Sequence, residues 1–98
     1  MIIVTGSVDA LPESAMEVFR LSLDHVHRSR AEPGCVSHDV FVSGENEHRF
    51  FFFERWADRA ALATHFAVPE SRAFAKALGK LCAVPPNMTV YEAAAVTL

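Results

Sequence analysis

The stretch His48–Trp56, HRFFFFERW, limits what this chain can fold into more than any other part of it. Four consecutive phenylalanines, Phe50 to Phe53, run into Glu54, Arg55 and Trp56, and the polar turn Ser43-Gly44-Glu45-Asn46-Glu47 bounds them upstream. Such a run of β-favouring aromatics beside a turn predicts a strand. Side chains alternate across a strand, so Phe50, Phe52, Glu54 and Trp56 fall on one face and Phe51, Phe53 and Arg55 on the other. Both faces are apolar over most of their length. The chain's own helices can cover one face. The second needs either another copy of the chain or burial of the strand in the middle of a monomer.

The 98 residues suit a single domain spanning positions 1–98, long enough for a genuine core. With 51% hydrophobic and 21% charged residues the chain lies far from the disordered class. A net charge of −3 supplies no basic stripe for a phosphate backbone, which argues against nucleic acid as a partner. Cys35 and Cys82 are too few for a disulfide framework and lack metal-ligand spacing, so reduced thiols in the cytoplasm are expected. No signal-like N-terminus is apparent, and no apolar run approaches the roughly 20 residues of a membrane span.

Hydrophobic periodicity places the remaining elements. Met1–Val8 alternates as a first strand, and Glu13 to about Arg30 carries Met16, Phe19, Leu23 and Val26 at helical steps until Glu32-Pro33-Gly34 stops it. Cys35–Val42 reads as a second strand, with Val36, His38, Val40 and Val42 on one face, forming a hairpin with the phenylalanine strand. Asp58 caps a short helix bearing Ala61, Leu62, His65 and Phe66. Pro69 then opens a further helix, Glu70 to about Leu81, with Phe74, Leu78 and Leu81 inward, and a last strand runs from Met88 to Val96. This order is the split βαβ pattern of a ferredoxin-like α+β fold, an antiparallel sheet with helices on one face.

No phosphate-binding glycine loop, metal-spaced His/Cys cluster or serine-hydrolase elbow occurs. The candidates are polar groups in apolar surroundings. Glu54, between Phe52 and Trp56 on one strand face, needs a partner if buried; His65 is the natural one and Arg72 the alternative. The pair reads either as catalytic or as a structural tie between helix and sheet. Trp56 offers a flat wall for an aromatic ligand or a core residue, and His38 either lines the same cavity or fills it.

These residues also carry a resemblance. Glu32-Pro33-Gly34-Cys35, then Phe53-Glu54-Arg55-Trp56, Asp58, Ala61-Leu62, His65 and Pro69, resembles the antibiotic biosynthesis monooxygenase (ABM) domain family, including its quinol monooxygenase-like proteins. The resemblance implies a homodimeric α+β barrel with two sheets packed face to face. It also implies a cavity between sheet and helices at Glu54, Trp56 and His65. The chain departs from the pattern at His38, where an aromatic is usual, and at Pro69-Glu70-Ser71, where a second histidine commonly follows the proline.

The implied activity is cofactor-independent oxidation of an electron-rich phenol, hydroquinone or polycyclic quinol by O₂. His65 would be the base, with an ordinary imidazole pKa of ~6.5, and Glu54 would orient it. Trp56, Phe52, Phe74, His38 and Arg72 would form the substrate-binding set. Two other implied readings are a non-catalytic dimeric ligand-binding or stress-response protein, and a haem-degrading enzyme. The latter pattern places an asparagine on the first strand, where this chain has Ser7.

Overall fold

A computed structural model describes residues 1–98. The elements run β1 (Ile2–Asp9), α1 (Ala15–Arg30), β2 (Cys35–Val42), β3 (Arg49–Trp56), α2 (Arg59–Ala67), α3 (Pro69–Leu81) and β4 (Asn87–Glu92). The strands form one sheet in the order β2-β3-β1-β4, every neighbouring pair antiparallel. With the helices against one face, this is the ferredoxin-like α+β fold that the sequence predicts. α1 starts two residues later than its periodicity suggests, because Pro12–Ser14 forms a 3₁₀ turn first. β4 stops at Glu92, opposite Ile2 and short of the expected Val96, with the Ala93 amide adding one bond to the Met1 carbonyl. No helix is long and apolar enough to cross a membrane.

The phenylalanine strand lies in the sheet interior, paired with β1 on one side and β2 on the other. Its inner face, Phe50, Phe52, Glu54 and Trp56, is buried under the helices. Phe50 and Phe52 join Val8, Val18, Val26 and Leu78 in one core cluster, and Trp56 joins Ile2, Val4 and Leu62 in a second. Glu54 falls between Phe52 and Trp56 on this face, at the break between the two clusters. The outer face stays uncovered by the chain itself. Phe41, Phe51 and Tyr91 are 53%, 42% and 49% exposed there, beside half-buried Ile3 and Phe53.

Two local features depart from simple alternation. A bulge at Val36 sets Cys35 opposite Trp56 and Ser37 opposite Arg55. Cys35 therefore turns toward the helices, not to the outer face that strict alternation predicts, while the unshifted register from the hairpin turn sets His38 opposite Glu54. On α1 the buried stripe is Val18, Ser22, His25, Val26 and Ser29, whereas Met16, expected inside, is 88% exposed. Small serines let the helix sit close to the sheet. The Ser29 hydroxyl satisfies itself by donating to the His25 carbonyl, 2.6 Å away.

The corner after α1 fixes how β2 meets α2. Gly34 has φ 82°, and a side chain there would bring its Cβ to 2.5 Å from the Ala61 Cβ. Asp58 caps α2 as expected, its carboxylate accepting from the Ala61 amide at 2.8 Å. Gly34→Ala combines an unfavourable φ with this contact, so it should destabilise the fold by at least about 1 kcal/mol, measured by urea unfolding. Gly44→Ala, where nothing lies within 4 Å, is the control expected to change stability far less.

Candidate active site

The polar residues of the core converge where the two apolar clusters part. Glu54 of β3, His38 of β2, His25 of α1 and His65 of α2 are all buried there. The Glu54–His65 pair expected from the sequence does not form. Glu54 Oε1 accepts from Trp56 Nε1 at 2.9 Å and lies 3.3 Å from His38 Nε2, outside good hydrogen-bond geometry. The physical reason is register: Trp56 is two residues along on the same face and His38 is the direct cross-strand partner, so both reach the carboxylate first. Arg72, the alternative partner, is exposed and makes no bond to Glu54.

His65 instead pairs with Glu32, Nδ1 to Oε1 at 2.9 Å. Glu32 belongs to the Glu32-Pro33-Gly34 corner. Gly34 packs on Ala61 and Glu32 holds His65, one helical turn further along α2, so the corner grips a single face of that helix twice. His25, absent from the sequence-based candidates, stacks on Phe74 with ring centroids 4.2 Å apart and accepts at Nδ1 from Arg28 Nη2 at 3.0 Å. Its signal was the helical repeat Val18, Ser22, His25, Ser29, which hydrophobicity alone passes over.

A cavity of about 430 Å³ opens against this cluster between the sheet and the helices. Its lining includes Val4, Phe52, Glu54, His25, His65 and Phe74, with Arg72 at the exposed edge. That volume lies within the usual range for small-molecule sites. Two expected ligand contacts do not reach it. Trp56 and His38 are 0% exposed and lie behind the wall, Trp56 backing the His65 ring with centroids 4.6 Å apart. Both support the site from within the core and do not line it.

The electrostatics follow from burial and neighbours. Burial pushes His25 down to about 3, helped by His38, His65 and Arg28. For Glu54, burial alone would raise the carboxyl. The contact and charge of His38, the Trp56 hydrogen bond and the charge of His65 outweigh it, and the net direction is down. Burial also pushes the Cys35 thiol up, with Glu54 and Glu32 adding to it, so it remains a thiol. Linear spacing gives no metal pattern, yet the fold brings ring nitrogens of His25, His38 and His65 within 4.8 Å of one another. Their donor type would suit a divalent ion. The Arg28 cation already bonded to His25 opposes one.

The comparisons with known proteins agree with this architecture. The family model described as Antibiotic biosynthesis monooxygenase matches residues 1–77, and the chain belongs to that family. It is 34% identical over 93 residues to the uncharacterized protein sll1783 of Synechocystis, covering 95% of this chain but only 63% of that relative. YcnE of Bacillus subtilis, whose name as a monooxygenase is itself provisional, is 28% identical over 92 residues, 94% of this chain and 97% of its own. A solved antibiotic biosynthesis monooxygenase-type structure from Deinococcus radiodurans, also named provisionally, superposes with a TM-score of 0.94. It has 27% identity and covers 100% of this chain and 97% of its own.

The buried groups give stability a definite pH dependence. The folded His25 binds its proton only near pH 3, whereas the unfolded one does so near 6.5, so between these values the unfolded state holds more protons. Stability therefore falls on acidification from about pH 6.5 toward 3. The slope due to His25 alone should be about 1.4 kcal/mol per pH unit, and the lowered Glu54 carboxyl adds a further loss once pH falls below its ordinary 4.5. Urea unfolding between pH 7 and 4 should show this decline, and His25→Phe should flatten the upper part of it.

Proposed function

We propose that the chain is a cofactor-independent monooxygenase that oxidises an electron-rich phenol, hydroquinone or polycyclic quinol with O₂. The observation that carries this reading is His65, whose Nδ1 is anchored by Glu32 while its ring lines an apolar cavity large enough for an aromatic substrate. Substrates of this class hold the electrons needed to reduce O₂ once deprotonated. The protein's task is then to bind, deprotonate and keep water away.

The sequence of steps balances within substrate and O₂. His65 takes the phenolic proton, and the phenolate passes one electron to O₂. Superoxide and the phenoxyl radical combine at a ring carbon bearing hydrogen, and His65 returns its proton to the peroxide. That carbon then loses its hydrogen as a proton while the O–O bond breaks, leaving a carbonyl and water. Phe52 and Phe74 would hold the ring, and Arg72 at the rim would meet polar substituents. Glu54 would act as a positioning residue for His38 and Trp56, which pack on His65 from behind.

Oxygen uptake by metal-stripped protein against a panel of hydroquinones and anthrols tests the reading. Saturable uptake should fall on the order of 10²-fold in His65→Ala. Uptake unchanged in that variant would remove His65 from the chemistry. A second reading, ligand binding without turnover, draws on the near-complete burial of His65, 3% exposed. Quenching of Trp56 fluorescence by quinols without any oxygen consumption would favour it.

We also infer that two copies pair through the outer sheet face, because Phe41, Phe51 and Tyr91 form an apolar surface that the chain leaves uncovered. Light scattering should give twice the 10.8 kDa chain mass, and Phe51→Glu should shift it toward monomer. A monomer in the unaltered protein would overturn the pairing.

A further inference from the structure

The two histidines that line the cavity are anchored by groups of opposite hydrogen-bonding character. Arg28 can only donate, so His25 Nδ1 must accept from it, and the neutral ring then carries its proton on Nε2. The Glu32 carboxylate can only accept, so His65 Nδ1 carries the proton and its Nε2 keeps a lone pair. Neither Nε2 has a hydrogen-bond partner in the chain, and neither is sealed off, in contrast to the two fully buried ring nitrogens of His38. The anchoring partners thus set opposite tautomers in the two rings.

We propose that His25 and His65 form a polarised pair, His25 Nε2–H a fixed donor and His65 Nε2 a fixed acceptor, that binds one phenolic oxygen between them and holds the phenolate it becomes. Arg28 and Glu32 are the positioning residues that set the two tautomers. The proposal rests on the reading of the cavity as a phenol site and adds a second group that touches the reacting oxygen. A ring nitrogen of each histidine lies within 4.8 Å of one on the other, and with both Nδ1 atoms taken by Arg28 and Glu32 the Nε2 atoms are the pair left to bind a ligand; an oxygen ~2.8 Å from two nitrogens that far apart would bridge them at roughly 120°, close to a hydroxyl's bonding directions.

The direction of proton flow follows. The phenol O–H donates to His65 Nε2 while the same oxygen accepts from His25 Nε2–H. When the proton moves to His65, the oxygen gains negative charge and the His25 hydrogen bond becomes charge-assisted, which strengthens it. His25 stays the neutral donor throughout. Its strongly depressed basicity in this burial keeps it from competing for the proton. The pair therefore selects ligands whose oxygen both gives up a proton and accepts a hydrogen bond, and it discriminates against aryl ethers, which have no proton to give.

Two measurements test the pair without requiring turnover. The first is ¹⁵N-resolved NMR of the histidine rings in the ligand-free protein at neutral pH. The expected result is opposite tautomers, with His25 protonated on Nε2 and His65 on Nδ1. A proton on His25 Nδ1, a shared tautomer, or a His65 ring protonated at both nitrogens would overturn the proposal.

The second is titration with a nitrophenol, whose neutral and ionised forms absorb differently, beside the matching nitroanisole. The bound phenol should ionise at lower pH than in solution, favouring phenolate over phenol on the order of tenfold. Arg28→Leu should lose that preference while still binding nitroanisole, and Arg28→Lys, again a donor only, should restore it. Preference unchanged in Arg28→Leu would overturn the assignment of His25. Opposite tautomers and phenolate preference without oxygen uptake on any quinol would leave the pair standing and count against the monooxygenase reading alone.

Discussion

A carboxylate in the middle of a buried strand face is the constraint from which the rest of this structure follows. An unpaired charge at Glu54 would cost several kcal/mol, so the fold must supply partners at that point. Trp56 Nε1 donates to it from the same strand, and His38 approaches from the next. Meeting this demand divides the core in two. The Phe50 and Phe52 cluster lies on one side and the Trp56, Ile2 and Leu62 cluster on the other, with a polar seam between them. The cavity opens on that seam, because side chains that must hydrogen-bond cannot also close-pack as hydrocarbons do.

Much of the architecture was legible because it rests on short-range rules. Alternation along Phe50–Trp56, the Asp58 cap, the proline at Pro69 and the Glu32-Pro33-Gly34 stop each act within a few residues, and the structure places them where periodicity puts them. The candidate site was legible in its members but not in its pairings. His65, Glu54, Phe52 and Phe74 do meet at one cavity, yet the expected Glu54–His65 bond is replaced by two other pairs. The hairpin register sets His38 opposite Glu54, and a one-residue bulge at Val36 then turns Cys35 inward, which nothing in composition encodes. Trp56 and His38 take the cavity-facing side in the sequence pattern yet lie too deep to line it, because a sequence shows which face a residue takes but not its depth.

The residues that went unseen share one property: each does two things. Glu32 was visible as part of a helix-stopping corner, and that role hid its other one, as anchor of His65. The corner explains why both roles fit one residue. Gly34 at positive φ lets the chain pass within contact of Ala61, and only that close approach brings the Glu32 carboxylate against a side chain one turn further along α2. Backbone geometry at the glycine is thus coupled directly to the orientation of the histidine. His25 likewise serves as a packed member of the α1 stripe, stacked on Phe74, and as a ring whose outer nitrogen borders the cavity.

Arg28 in the last turn of α1 and Glu32, two residues beyond its end, carry opposite charges and lie close enough in the chain to pair with each other. They do not. Each turns to an imidazole, leaving Arg28 Nε and Glu32 Oε2 buried without partners. Unsatisfied buried atoms of charged groups are costly, so a fold selected for stability alone would be expected to join the two. What their separation achieves is a difference between two chemically identical rings. A cation fixes one imidazole as a donor, an anion fixes the other as an acceptor, and both come from one short segment at the end of a helix. The asymmetry of the site is therefore a consequence of chain order near the α1 terminus, set before any ligand arrives.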